Sequence, residues 1–128
     1  MSGTEQVSGV CISPRDSILI IFADPLDEIL RGKKRYEIRG KRCPSKLGTR
    51  VWLAAYGSSA ITGSAYVAAC HGPLDTNTWE ALRSGHCVPG PRLYGDHTFA
   101  WEFHDVRRCA SVPFRRKQGA ITWQTGPG

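Results

Sequence analysis

The residues of this sequence best suited to chemistry lie within eight positions, 32 to 39, which read Gly-Lys-Lys-Arg-Tyr-Glu-Ile-Arg. The segment places a single carboxylate, Glu37, among several cations. A lysine beside a carboxylate can bind a phosphate group, or can act as a base where burial lowers its pKa. Arg39 can contact phosphate, and Glu37 can accept hydrogen bonds from an amino group. The segment therefore indicates a site for a phosphate-bearing ligand.

A short helix followed by a strand is expected to position these residues. Asp24 is suited to the N-cap and Pro25 to the first helical position, and apolar side chains recur on one helical face between positions 26 and 30. Gly32 can end the helix, because glycine adopts the left-handed conformation at the C′ position without strain. The helix then delivers Lys34 to the start of the next strand.

Strand alternation divides the side chains of this segment between two faces. In a strand at positions 35–39, Arg35, Glu37 and Arg39 lie on one face. Tyr36 and Ile38 lie on the other, and Tyr36 is expected in the core. Glu37 and Arg39 are therefore neighbours that can form an ion pair or contact a ligand together.

Continuous or alternating apolar residues predict further strands at positions 18–22, 50–56, 61–69, 99–104 and 106–114. The first is expected to be buried on both faces. The second and third are expected to form a hairpin bent at Gly63. The fourth presents an aromatic inner face, and the fifth is interrupted by Pro113.

A second helix is expected at positions 76–83, with Asp75 or Thr76 as its N-cap, Trp79 on its inner face and Gly85 beyond its end. A long loop at 86–97 follows. We expect one domain at 17–123, with a disordered N-terminal tail at 1–16 and a C-terminal tail at 124–128.

Composition is that of one globular domain. The 128 residues are 41% hydrophobic and 22% charged, and no apolar run approaches the ~20 residues that cross a membrane. Five cysteines, an odd number without a C-x-x-C pair, favour a reducing compartment, the cytoplasm or in a eukaryote the nucleus. The adjacent pairs at 70–71 and 86–87, each a cysteine and a histidine, do not match the spacing of zinc ligands, so we expect no metal and no other cofactor.

Positive charge is concentrated in two segments of a chain whose formal net charge is +6. Nine cations at positions 31–50 accompany one carboxylate, Glu37, and the second cluster consists of Arg107, Arg108, Arg115, Arg116 and Lys117. Charge runs are commonly solvated surface, but two clusters that meet in space attract polyanions. No amphipathic basic helix is present, so a phosphate-bearing partner is expected rather than a membrane.

Four residues of the first cluster resemble a known signature. Gly32, Lys34, Glu37 and Arg39 have the spacing G-x-K-x-x-E-x-R of the ASCH family, a branch of the PUA-like superfamily, and follow a short helix as in that family. Segments 48–52, 99–102 and 116–120 and Trp123 support the resemblance, which spans about 17–123. It implies an α+β fold: a small PUA-like β-barrel of five to six strands with two short helices, and a groove associated with RNA or other nucleic acid.

Aromatic side chains add to this expectation, because unpaired bases stack on rings while their phosphates contact Lys and Arg. Tyr56 at a strand end, Tyr94 in the long loop and Trp123 near the C-terminus are candidates to flank a ligand, with Tyr94 the first choice. The expected nucleic-acid-binding residues are Lys34, Glu37, Arg39, Tyr56, Tyr94, Arg116, Lys117 and Gln118.

Three functions stay open. The first is a monomeric module that binds single-stranded RNA or a nucleotide. The second is a hydrolase with Lys34 and Glu37 as catalytic residues, since some ASCH relatives cleave RNA and others hydrolyse acylated cytidines such as N4-acetylcytidine. The latter use a threonine nucleophile where this chain has Glu37, which argues against that activity here. The third is a regulatory domain that docks an acidic protein partner.

Overall fold

The described part of the chain in this computed structural model, residues 12–13, 15–44, 46–118 and 122–126, contains six strands and three α-helices. The strands are β1 (Ser17–Ile21), β2 (Tyr36–Arg39), β3 (Thr49–Ala55), β4 (Ala60–His71), β5 (Phe99–Pro113) and β6 (Trp123–Thr125). The helices are α1 (Ala23–Leu30), α2 (Thr76–Ala81) and α3 (Arg83–His86), and a 3₁₀ turn, Gly95–His97, precedes β5. Most of the tail expected at 1–16, and positions 127–128, lie outside the described residues.

The strands form one curled sheet in the order β2-β5-β4-β3-β1-β6. β1 and β3 are parallel, and the other neighbours are antiparallel. Curling brings β2, at one end of the sheet, near β1, the next-to-last strand at the other end: the Arg39 guanidinium on β2 donates to the Ile20 carbonyl at 2.9 Å. The fold is thus α+β, a curled six-stranded half-barrel with three short helices, where the sequence predicts two.

Alternate side chains of the strands fill the barrel. Leu19 and Ile21 face an interior cluster with Val51 and Leu53 of β3 and the β5 ring of Trp101, all nearly inaccessible to solvent. Ile18, which alternation places on the opposite face of β1, packs into a separate cluster. β1 is therefore buried on both faces, as predicted.

Helix α2 covers the outer face of β2. Trp79, fully buried, packs against Tyr36 and Ile38 together with Leu74 and Ala100. Tyr36 is confirmed as a core residue, and the alternation of β2 leaves Glu37 and Arg39 on the opposite face.

Helix α1 begins earlier than predicted. It starts at Ala23 with Phe22 as the N-cap residue and no side-chain capping bond, so Asp24 belongs to the first turn and the expected N-cap was wrong. Phe22 was also predicted in the buried first strand, but β1 ends one residue earlier and the Phe22 ring is 69% exposed. The helix end is as predicted, since Gly32 has φ of 79°.

The predicted helix at 76–83 is in fact two helices. Asp75 is its N-cap, and its carboxylate accepts the Thr78 N–H at 2.7 Å. Gly85 lies inside α3 instead of beyond the helix, and the left-handed residue at the end is Cys87, with φ of 62°. A Cβ at Gly85 would lie 2.6 Å from the Tyr36 ring, so glycine here permits close helix–strand packing.

No helix in the described part of the chain is long and apolar enough to cross a membrane.

The hairpin of β3 and β4 is confirmed, but the two strands predicted at 99–104 and 106–114 are one strand, β5. Asp105 adopts φ of 48°, and the pairing with β4 shifts register there, between the pairs Tyr66–His104 and Ser64–Arg107, so a bulge joins the two halves. Pro113 is the last residue of β5, where a missing N–H is tolerated.

Candidate functional site

A cavity of about 440 Å³ opens where β2 approaches the end of β1. Its polar lining residues are Lys34, Glu37, Arg39 and Thr122, and its other lining residues are Ile20, Phe22, Pro25, Ile38, Tyr56, Val88, Leu93 and Tyr94. Charged groups thus share one small cavity with aromatic and aliphatic walls. This is the usual composition of a site for a small ligand.

Lys34 reaches the cavity because of the way α1 ends. After the left-handed Gly32, the backbone N–H groups of Lys33 and Lys34 both donate to the Glu28 carbonyl, which turns the chain back toward β2. The Lys34 side chain is almost fully buried, and its Nζ donates to the His86 carbonyl oxygen. Burial lowers the pKa of Lys34, against the opposing effect of the nearby Glu37 carboxylate.

Glu37 and Arg39 form a buried ion pair. Arg39 Nε donates to Glu37 Oε2 at 2.9 Å, and only 17% of the arginine side chain and 9% of the glutamate side chain are exposed. Arg39 also donates to the Ile20 carbonyl at 2.9 Å and to Thr122 Oγ1 at 3.4 Å, and its guanidinium lies over the Trp101 ring. Arg39 is therefore held on several sides and fixes the orientation of Glu37.

The other oxygen of Glu37 is the open acceptor of the cavity. Among the described residues no hydrogen bond to Oε1 is found, whereas Oε2 accepts from Arg39. Burial raises the pKa of Glu37, and the positive charges of Arg39 and Lys34 oppose that rise. A ligand with an N–H donor can stabilise the ionised carboxylate by pairing with Oε1.

The mouth of the cavity is aromatic. Phe22 and Tyr56 line it with ring centroids 5.5 Å apart in an edge-to-face arrangement, and Leu93 and Tyr94 also line it. All four side chains are at least 45% exposed. The Arg116 guanidinium lies over the Tyr56 ring at 4.8 Å from its centroid.

The part of the cavity wall that includes Leu93 and Tyr94 is a loop, residues 88–94, whose backbone is anchored by side chains of α2 and α3. Trp79 Nε1 donates to the Gly90 carbonyl at 2.9 Å, and Arg83 donates to the carbonyls of Val88 and Gly90 at 2.6 and 2.8 Å. The Tyr94 ring packs on the end of β2. We call this segment the wall loop.

Five of the eight predicted site residues line the cavity together: Lys34, Glu37, Arg39, Tyr56 and Tyr94. Arg116 joins the rim through its contact with Tyr56. Lys117 and Gln118 are exposed and are not among the lining residues; the Lys117 amine donates to the Thr125 carbonyl. Trp123, a further candidate, stacks on Trp101 with centroids 5.9 Å apart.

Sequence reasoning missed Phe22 and Thr122, which both line the cavity. A signal existed for Phe22, because an aromatic residue between a buried strand and a helix start stands at a strand end. None pointed to Thr122, which reaches the cavity from the far end of the chain.

The cysteine–histidine pairs considered as zinc ligands are engaged elsewhere. The His86 ring stacks on Trp79, its Nε2 pairs with the Trp79 carbonyl at 3.0 Å, and its Nδ1 accepts the Val88 N–H at 2.9 Å. These bonds match the neutral ring, and burial lowers the pKa of His86. His71 pairs with Glu102 at 2.6 Å. Among the described residues no group of three His, Cys, Asp or Glu could hold a metal ion.

No family model matches the chain, and the comparison with curated proteins found no match. Solved structures do match, and those described here are of ASCH from Zymomonas mobilis. One is 19% identical with a TM-score of 0.64, covering 79% of this chain and 75% of that one. A serine-to-alanine mutant is 20% identical with a TM-score of 0.67 and 90% coverage of both chains, and a tyrosine-to-phenylalanine mutant is 21% identical with a TM-score of 0.62, covering 77% and 76%. The chain therefore has the fold of these ASCH structures.

Proposed function

We propose that the protein binds single-stranded nucleic acid, RNA in the first instance, by taking one unpaired base into the cavity. The observation that carries this proposal is the buried Glu37 carboxylate, whose Oε2 is held by Arg39 while Oε1 accepts no hydrogen bond from the described residues, in a cavity with aromatic walls. Proteins read unpaired bases by this combination of an edge-on hydrogen bond and stacking on rings.

The size of the cavity supports a single base as the occupant. At about 440 Å³ it falls in the range of small-ligand pockets, about 300–1,000 Å³. A base inside a duplex cannot enter such a cavity without leaving its stack, so unpaired nucleotides are favoured.

The polar groups also complement a base. The Glu37 carboxylate can accept from an exocyclic amino group, as carboxylates do from the N4 of cytosine. The Lys34 amine, which uses one proton for the His86 carbonyl, retains donors for a carbonyl or ring nitrogen. The net charge of +6 favours the phosphates that accompany the base.

The test compares Glu37→Gln with Asp27→Asn in fluorescence anisotropy with short labelled RNA and DNA oligonucleotides. Both substitutions remove one negative charge, and Asp27 lies outside the cavity in an exposed ion pair with Arg31. A purely electrostatic surface would bind RNA more tightly in both variants. We expect Glu37→Gln to lose at least about tenfold in affinity, and Asp27→Asn to lose none.

Salt dependence gives the second readout. Log K should fall with log salt by about 0.7 per phosphate contacted. The proposal is wrong if wild-type protein binds no oligonucleotide at low salt, or if Glu37→Gln binds as wild type does.

A second candidate is hydrolysis of RNA or of a modified nucleoside such as N4-acetylcytidine. It is supported by the buried Lys34 amine, whose pKa is lowered, near the Glu37 carboxyl, whose pKa is raised, because such a pair can exchange protons with a substrate. The Thr122 hydroxyl in the same cavity supplies the kind of group absent at position 37.

Turnover decides between the two candidates. Wild type, Lys34→Ala and Glu37→Gln are incubated with RNA and with N4-acetylcytidine, and products are separated by chromatography. Product formed by wild type and lost in both variants indicates an enzyme. Loss of binding in Lys34→Ala without wild-type turnover indicates a binding module, and a protein that neither binds nor turns over these ligands leaves an acidic protein partner as the alternative.

A further inference from the structure

We propose that Phe22, Tyr56 and Arg116 form a second nucleotide subsite, so that the protein binds two consecutive nucleotides. One base occupies the cavity, and its neighbour stacks on Phe22 at the mouth with the phosphate beside Arg116. This inference rests on the proposed function, and it specifies a polynucleotide strand as the ligand instead of a free nucleotide. We call these three residues the mouth platform.

The exposure of Phe22 is the first support. Its ring is 69% exposed, although it is a large apolar side chain at the rim of a cavity. It is the N-cap residue of α1, but it makes no side-chain capping bond, and phenylalanine is not a residue that helix starts favour. Helix formation therefore does not explain the side chain, whereas a base with an exposed π-face would cover it.

The orientation of the rings is the second support. Phe22 and Tyr56 meet at an interplanar angle of 68°, so the edge of one ring is directed at the face of the other. Arg116 lies over the Tyr56 ring, with the guanidinium carbon 4.8 Å from the centroid. Neighbouring contacts thus position Phe22 and Tyr56 at the edge of the cavity.

Charge gives the direction in which the strand continues. Beyond the platform the chain carries three consecutive exposed cations at positions 115–117. Arg92 of the wall loop is already paired with Asp96, and the first turn of α1 carries Asp24. Phosphates are therefore expected on the Arg116 side of the platform, away from the α1 carboxylate.

The test measures how much a second nucleotide adds. Affinities of wild-type protein are measured by calorimetry for the four nucleoside monophosphates and for dinucleotides containing the preferred base. Base–aromatic stacking predicts a dinucleotide about tenfold tighter than the mononucleotide. The quantity compared among variants is this ratio, because Phe22 also lines the cavity and its removal can change mononucleotide binding.

The variants separate stacking from other effects. In Phe22→Ala and Phe22→Leu the ratio should fall to near one, in Phe22→Trp it should persist, and in Arg116→Gln it should decrease. Leu47→Ala is the matched control, since this side chain is 51% exposed and lies outside the cavity; it should keep the wild-type ratio. Thermal melting checks that each variant is folded.

The possible outcomes also separate this inference from the proposed function. If mononucleotides bind and the second nucleotide adds nothing, the platform inference is wrong and the single-base site stands. A ratio that is unchanged in Phe22→Ala and Phe22→Leu overturns it as well. If wild-type protein binds neither mononucleotides nor oligonucleotides, both the proposed function and the second subsite are rejected.

Discussion

Replacing Arg39 by alanine should destabilise the protein far more than the loss of an ordinary surface arginine. Arg39 is the partner of the buried Glu37 carboxylate at 2.9 Å, and its second contact, to the Ile20 carbonyl, links β2 to β1 across the opening of the curled sheet. Without Arg39 the carboxylate remains buried with one compensating charge fewer. The Ile20 carbonyl loses its donor at the same time.

The expected cost follows from burial. Removing one partner of a buried ion pair costs about 3–5 kcal/mol, because the remaining charge is left uncompensated. A domain of this size is stable by about 5–15 kcal/mol, so the change is a large fraction of the total. With a urea m-value of about 2 kcal/mol per molar, the midpoint of unfolding should fall by roughly 2 M.

The assay is urea unfolding followed by circular dichroism, arranged as a double-mutant cycle with Glu37→Gln. Glu37→Gln should recover part of the loss, because the double variant no longer contains the unpaired carboxylate. Arg31→Ala is the control: its ion pair with Asp27 at 3.1 Å is exposed and should contribute about 0–1 kcal/mol. The prediction is refuted if Arg39→Ala lowers stability no more than Arg31→Ala does. It is also refuted if the stability changes of Arg39→Ala and Glu37→Gln are additive, because Glu37 and Arg39 would then not be energetically coupled.

Two further predictions concern packing and pH. Gly63→Ala should destabilise the protein by about 1–3 kcal/mol, because a Cβ there would lie 2.5 Å from Leu30 Cδ2 and 2.7 Å from a backbone oxygen of β5. Urea unfolding measures the change in stability, and an unchanged unfolding midpoint would contradict the prediction. Burial raises the pKa of Glu37 in the native state above its ordinary value of 4.5. At pH values between 4.5 and this raised pKa, the native state holds a proton that the unfolded chain has lost. The contribution of Glu37 to stability should therefore decrease as the pH rises from 4.5, and Glu37→Gln should gain stability relative to wild type over that interval; a difference that grows in the opposite direction would refute the raised pKa.

The parts of the fold that sequence reasoning anticipated depend on local physics. A continuous apolar run buries both faces of β1, alternation separates Tyr36 from Glu37, and Gly32 takes the left-handed conformation that its lack of a Cβ permits. Each of these can be derived from neighbouring residues alone. The same local reasoning brings Glu37 and Arg39 to one face.

The errors arose where tertiary contacts override local preference. Local preference predicts a helix stop at Gly85, but its lack of a side chain makes room for Tyr36, and Cys87 adopts the left-handed conformation instead. β5 continues through its bulge at Asp105 because β4 pairs with it on both sides of that point. Such contacts join residues more than 30 positions apart, which periodicity cannot register.

The candidate site also has a part that local sequence predicts and a part that it does not. Its charged floor comes from one short segment, so the spacing of Lys34 and Glu37 was sufficient to select it. Its walls come from three distant parts of the chain, at Phe22, Tyr56 and the wall loop. Local sequence patterns do not show that these distant segments line one cavity, because the curl of the sheet brings them together.

The anchoring of the wall loop bears on how quickly and how selectively a ligand can bind. Trp79 and Arg83 hold the loop by its backbone carbonyls, and neither of these two side chains lines the cavity. The shape of the cavity is therefore established before any ligand arrives, and little conformational entropy is lost on binding. The association rate is then set by diffusional encounter, and ligands that fit the cavity differently will differ chiefly in their dissociation rates.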